Sequence, residues 1–273
     1  MKTISLIITA SIILCGLTRA SAQSNLSSAE KIVMHSISKQ KNNGIGMQIP
    51  LPDTWSYNND AVDGEPVITA PGGVEVYNYP HPQDFLYAND SVTVTYYHHA
   101  TGIPVREPRG VEYVIETDLK PLVERNGYSF VGQYPLKDVA MNISSNTALF
   151  FNPLQLNNLV QVSGTEWADK AGNKLLIVIQ YTETGSLSDI LSWGYSAHSL
   201  QAPLKEFESA RDHFIYGLAN LQYNPDDIKA YNDAQRAEWD RNKMENENRK
   251  RYDDYNHRYN PEDENKSYDT RQE

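Results

Sequence analysis

Apolar and polar positions alternate along this chain with two different periods, and each change of period marks a new element. In SSAEKIVMHSISKQ, Ala29, Val33 and Ile37 recur four apart behind Ser27 and Glu30, which stand at capping-box spacing. That spacing predicts a helix over about 28–40, within an N-terminal helical segment spanning 23–44, with His35 turned to solvent. From Met47 the period drops to two: Met47, Ile49 and Leu51 alternate with Gln48, Pro50 and Pro52. Proline offers no N–H to a ladder, so this stretch predicts an edge strand. PVITAPGGVEVYNYP predicts a hairpin around APGG, and SVTVTYYH an alternating strand. VEYVIETDLKPLVERNG predicts a helix stopped by Gly127 and kinked at Pro121, and YSFVGQYP and NTALFF predict strands.

The longest strand signal is LVQVSGTEWADKAGNKLLIVIQYTE, two strands around a turn at Ala168–Asn173. KLLIVIQY is apolar on both faces, which places it inside a sheet covered on both sides. Phe207, Ala210, Phe214, Leu218 and Leu221 then recur at three and four, the spacing of an amphipathic helix. Asn224-Pro225 supplies a cap and a first-position proline for an extended polar C-terminal helix over 224–258. Residues 259–273 are too polar to order themselves and predict a disordered tail. The succession predicts one α+β domain over 45–223, an antiparallel sheet covered by helices.

This order resembles the PsbP-like fold, named for an extrinsic photosystem II subunit and shared by small exported bacterial proteins. The matching stretches are IGMQIPLPDTW as entry strand, WADKAGNKLLIVIQY as central hairpin and FESARDHFIYGLANLQYNP as closing helix, over about residues 45–225. The resemblance rests on pattern and carries no unique motif. It implies an α/β/α sandwich and a role in binding, assembling or adapting other proteins, since few members are enzymes.

The first residues add a destination. Lys2, an apolar run from Ile4 to Leu17 and Ala20-Ser21-Ala22 have the layout of a secretory signal, with the run too short to span a bilayer. Cleavage after Ala22 leaves Gln23 first and sends the protein to a periplasm or beyond. A lipid anchor on Cys15 is the alternative, although Leu14 stands where a lipobox takes a small residue. Cys15 is the only cysteine, so the mature chain has no disulfide and relies on its core. No other stretch is apolar for long enough to form an integral membrane segment. Four Asn-x-Ser sequons begin at Asn25, Asn89, Asn142 and Asn265, as expected by chance in a chain rich in both residues.

Charge narrows the partners. Without residues 1–22 the chain loses Lys2 and Arg19 and no acid, leaving 22 basic against 35 acidic residues, a net of −13. Nucleic acid and anionic membrane surfaces require a basic footprint, so the charge opposes both, and no nucleic-acid partner is expected. Cations, cationic partners and neutral glycans remain open on charge alone; a protein or glycan partner is expected, and the oligomeric state is open.

Candidate chemistry is sparse. On a regular strand His98 and His99 point to opposite faces and cannot share one ion, and no zinc spacing supports them. Gly194-Tyr195-Ser196-Ala197-His198 departs from a nucleophile elbow because His198 replaces the second glycine. NNDAVDGE fails a calcium loop at Ala61 and Ala70. No phosphate loop is present, and no pair of acids is singled out for glycoside hydrolysis. No cofactor and no metal site are therefore expected.

Aromatics carry the remaining signal, 18 Tyr and 4 Trp against 6 Phe. Tyr77, Tyr79, His81, Phe85 and Tyr87 crowd a proline-broken stretch at 76–90 that reads as a loop able to line a groove. Tyr97 and His99, sharing one face of the next predicted strand, join them as candidate binding residues. The reading is an exported, non-enzymatic protein that binds or helps assemble a partner protein or glycan. A secreted hydrolase, metal-assisted and working from the loop after Tyr96, is the alternative.

Overall fold

The computed structural model describes residues 30–41, 44–78, 83–185 and 190–258. The predicted signal at 1–22 and the tail at 259–273 lie outside them. In chain order the strands and helices are β1 (Ile32–Ile37), β2 (Met47–Pro52), β3 (Ser56–Tyr57), β4 (Ile68–Ala70), β5 (Val74–Asn78), β6 (Gln83–Tyr87) and α1 (Ser91–Thr101). Next come α2 (Val111–Val114), a π turn (Ile115–Leu119), α3 (Lys120–Arg125), β7 (Ser129–Pro135) and α4 (Lys137–Thr147). β8 (Asn158–Ala168), β9 (Asn173–Gly185), β10 (Leu191–Pro203), α5 (Leu204–Ala219), β11 (Gln222–Tyr223) and α6 (Pro225–Arg258) complete the chain. The fold is α+β, with antiparallel strands in two sheets.

The large sheet runs β3-β4-β5-β10-β9-β8-β7. β10 pairs with β9 over its whole length, Leu191–Pro203. Its other edge is shared: β5 takes His198–Gln201 and β6 takes Leu191–Tyr195. Strand alternation then separates two cores. Val74, Val76, Leu176, Val178, Leu200 and Ala202 face α4 and α5, meeting Val139, Phe207, Phe214 and Leu218. Ile177, Ile179, Tyr181 and Trp193 face the other way, against Val111, Val114, Ile115, Leu119 and Val123 from the α2–α3 region. KLLIVIQY is apolar on both faces because it is covered on both. The buried Thr165 hydroxyl donates to Ile177 O at 3.2 Å and accepts from the Trp167 indole at 2.9 Å, so neither polar group is stranded.

A small sheet, β1-β2-β11, lies beside the first core and contributes Ile37, Ile49 and Leu51 to it. Gly217 of α5 lets the helix lie on β2: a Cβ there would come 2.9 Å from Leu51 Cδ2 and 3.1 Å from Pro50 O. β2 is the middle strand of this sheet rather than an edge. Asp53 N–H donates to Lys31 O, so the odd positions of β2 point their amides at β1. Pro50 and Pro52 face the other side, where β11 pairs only with Met47 and Gln48. Both prolines fall where no ladder bond is required.

Several expectations are overturned. Within the expected helix 28–40, Ile32–Ile37 is strand β1, paired with β2, and Lys39–Lys41 is a single 3-10 turn, so the described part of the N-terminal segment belongs to the domain. Ser27, half of the expected cap, lies outside the described residues, and the β-branched Ile32, Val33 and Ile37 suit the ladder. His35 is half-buried, its Nε2 3.2 Å from Pro52 O. SVTVTYYH is helix α1: Asp90 accepts from Val92 N and Thr93 N at its start, and Gly102 ends it at φ 73° with its N–H on His98 O. NTALFF is not a strand, since Asn146 and Thr147 finish α4. The expected kink at Pro121 is replaced by the π turn just before it, where Lys120 N–H reaches back to Ile115 O.

The chain divides into two compact units, the first ending at Ile228 and the second beginning at Lys229. The second, among the described residues, is polar helix with Met244 and Tyr252 exposed and a Lys229–Asp233 ion pair at 2.6 Å. No helix among the described residues is long and apolar enough to cross a membrane.

Candidate functional site

Where the first core reaches one end of the sheet, a cavity of about 280 Å³ opens between the strands and the helices α4 and α5. Its aliphatic wall comes from Ile37, Met47, Ile49, Ile68, Val76, Val139, Ile143, Phe214 and Leu218. Three neighbouring strands turn polar on this face at the same height. β5 passes from Val74 and Val76 to Asn78, β9 from Leu176 and Val178 to Gln180, and β10 from Leu200 to His198 and Ser196. Asn142 and Asn146 of α4 line the cavity too, their amides donating to Leu221 O at 3.1 and 3.2 Å.

His198 is the centre of this polar ledge. Its Nδ1 lies 2.7 Å from Asn78 Oδ1 and its Nε2 3.0 Å from Gln180 Nε2. A neutral ring with its hydrogen on Nδ1 satisfies both, donating to Asn78 and accepting from Gln180. Burial pushes its pKa down to about 4, so the ring is uncharged at neutral pH. Asn78 Nδ2, Gln180 Oε1 and the Ser196 hydroxyl keep hydrogen-bonding capacity that no described residue takes up. Burial also raises the pKa of Tyr57 and Tyr223, which complete the wall. Among the described residues, no Asp, Glu, Lys or Arg lines the cavity.

The predicted aromatic residues lie elsewhere. The stretch 76–90 is no loop in its described parts, which are β5 and β6, and Tyr79 and His81 fall outside the described residues. Phe85 and Tyr87 are brought together on the opposite face of the sheet from the cavity, in the second core. Phe85 stacks on Trp193 at 4.5 Å, and the Arg106 guanidinium packs over Phe85, Tyr113 and Trp193 at 5.2, 5.5 and 5.5 Å. These rings hold one another and an internal cation. Tyr77 sits six pairs further along β10, roughly 20 Å away at strand rise. Its hydroxyl donates to Glu75 at 2.7 Å, which holds its pKa up at about 12.

Tyr97 is on the helix α1, packed with Leu86 and Val94, and His99 is exposed. The strand argument for His98 and His99 therefore fails. On a helix they are neighbours, with ring centroids 5.7 Å apart. His98 Nδ1 donates to Ile103 O at 2.8 Å and so fastens the end of α1. No cluster of His, Cys, Asp or Glu that could hold a metal ion occurs among the described residues. In the NNDAVDGE stretch, Asn59 and Glu65 spend their oxygens on the backbone amides of Ser38 and Val62.

Sequence reasoning met His198 and Ser196 only in a failed nucleophile elbow and passed over Asn78 and Gln180. The signal was present as a polar residue ending each apolar file, but it becomes a site only when the strands are in register. No family model matches the chain, and no curated protein matches it.

Proposed function

We propose that this chain is an exported, non-enzymatic binding protein that takes a small uncharged molecule into the cavity beneath α4 and α5. The observation that carries the reading is the Asn78–His198–Gln180 chain at the polar end of an otherwise apolar hollow. Both imidazole nitrogens are committed to amides, so neither bonds to an orienting acid or to a hydroxyl it could activate. Such a group suits recognition rather than turnover. Export is supported by the signal-like residues 1–22.

Organic extraction of the purified full-length protein followed by mass spectrometry tests the reading. A single compound near one equivalent per chain is expected in the wild type. It should be lost in Leu218→Trp and in Ile143→Phe, which fill the hollow from different helices. Retention of the compound in both variants, with their circular dichroism unchanged, would place the site elsewhere.

A further inference from the structure

The cavity's chemistry is specific enough to name what it takes, on the reading that it is the binding site. We infer that the ligand is a small uncharged amphiphile, with a hydroxyl or primary-amide head and an aliphatic body.

Size sets the first limit. A hollow of about 280 Å³ lies at the lower end of small-molecule pockets, which span roughly 300–1,000 Å³. Charge sets the second. Among the described residues no acidic or basic side chain lines the cavity, and both ring nitrogens of His198 are taken up by amides. A carboxylate or ammonium seated there would give up its hydration without a counter-ion, which aliphatic contact does not repay.

Wall and ledge divide the ligand between them. The wall is mostly Ile, Val, Leu, Met and Phe, so a sugar, with hydroxyls all round its ring, would leave most of them unpaired. An alkyl chain meets the same wall without loss. The ledge offers donors, at Asn78 Nδ2 and the second N–H of Gln180, beside an acceptor at Gln180 Oε1, with the Ser196 hydroxyl able to act as either. A head that both donates and accepts uses it fully. Hydroxyls and primary amides do so, whereas ketones and esters only accept.

Isothermal titration of the full-length protein at pH 7 decides the point, using octanamide, 1-octanol, octanoate, octylammonium and glucose. Octanamide and octanol should bind at least tenfold more tightly than the two ions, and glucose should not bind. Gln180→Leu should collapse the preference of the head group to within about twofold while an octyl chain still binds. Leu218→Trp and Ile143→Phe should each abolish octanamide binding. Octanoate or octylammonium binding as tightly as octanamide, yet lost in the two filling variants, overturns the ligand class and leaves the cavity as the site. Glucose binding in preference to the amphiphiles overturns the class as well, as does failure of every probe to bind. Amphiphile binding that survives both filling variants overturns the cavity reading itself.

Discussion

The Trp193 indole N–H donates to the Arg106 carbonyl oxygen at 2.6 Å, and the guanidinium of the same Arg106 packs over the indole ring. From there the guanidinium reaches Asp118 with both branches, at 2.5 and 2.9 Å, and Tyr195 donates to Asp118 at 2.7 Å. Burial raises the Asp118 pKa, but Arg106 and the Tyr195 and Thr117 hydroxyls outweigh it and leave the group below the usual carboxylate range. One side chain thus ties β6, β10 and the α2–α3 region together. Arg106→Ala should cost about 2–3 kcal/mol in urea unfolding, and Arg106→Lys about half of that, because an ammonium cannot fork to both oxygens. Equal losses for the two variants would mean that stacking, not the fork, holds the cluster.

His198 makes stability depend on pH. Unfolded, it binds a proton near its ordinary value of 6.5; folded, it does so only near 4. Between those values the unfolded chain holds more protons, so stability falls as the pH drops from 6.5 to 4 and levels off below. The full effect is at most about 3 kcal/mol. His198→Gln should remove that slope, so the difference between wild type and variant in urea midpoints should change across this window. A constant difference from pH 7 to 4 would show that the ring protonates in place.

Gly217 sets two effects against each other. Alanine there gains up to about 1 kcal/mol of helix propensity, but its methyl would press on Leu51 and on the Pro50 carbonyl. Overpacking of a fixed backbone costs about 1–3 kcal/mol, so Gly217→Ala should be destabilising on balance. Since β2 also carries the cavity residues Met47 and Ile49, affinity for the proposed amphiphile should fall with it. A thermal melt above wild type would show that β2 yields freely.

Deleting 245–273 should leave the melting temperature within about 1 °C of wild type, because the described residues 245–254 are all exposed. A fall of ten degrees would show that this stretch belongs to the folded core.

Legibility in the sequence followed how local each determinant was. β8, β9 and α5 were readable because burial on one or both faces dictates their periods directly. α1 misled because its alternation does not track burial: of Val92, Val94 and Tyr96, which alternate along it, Val94 is buried but Val92 and Tyr96 are 74% and 62% exposed. What decides that segment is its ends, Asp90 and Gly102. β1 was misread because its partner, β2, lies beyond an intervening turn, and pairing outweighs a four-residue spacing. The polar ledge was the least legible, since Asn78, Gln180 and His198 are distant in sequence and meet only through the pairings His198↔Asn78 and Ser196↔Gln180.

Those pairings make ligand chemistry a property of alignment. Sliding β10 by one residue against β9 would carry His198 and Ser196 into the aromatic layer and swing Tyr195 and Ala197 over the hollow. The strand content would be unchanged, and far-ultraviolet circular dichroism would see nothing. If the cavity binds as proposed, such a misthreaded chain would betray itself first by failing to retain a small molecule, and ligand retention would then be a more sensitive assay of correct folding than secondary structure.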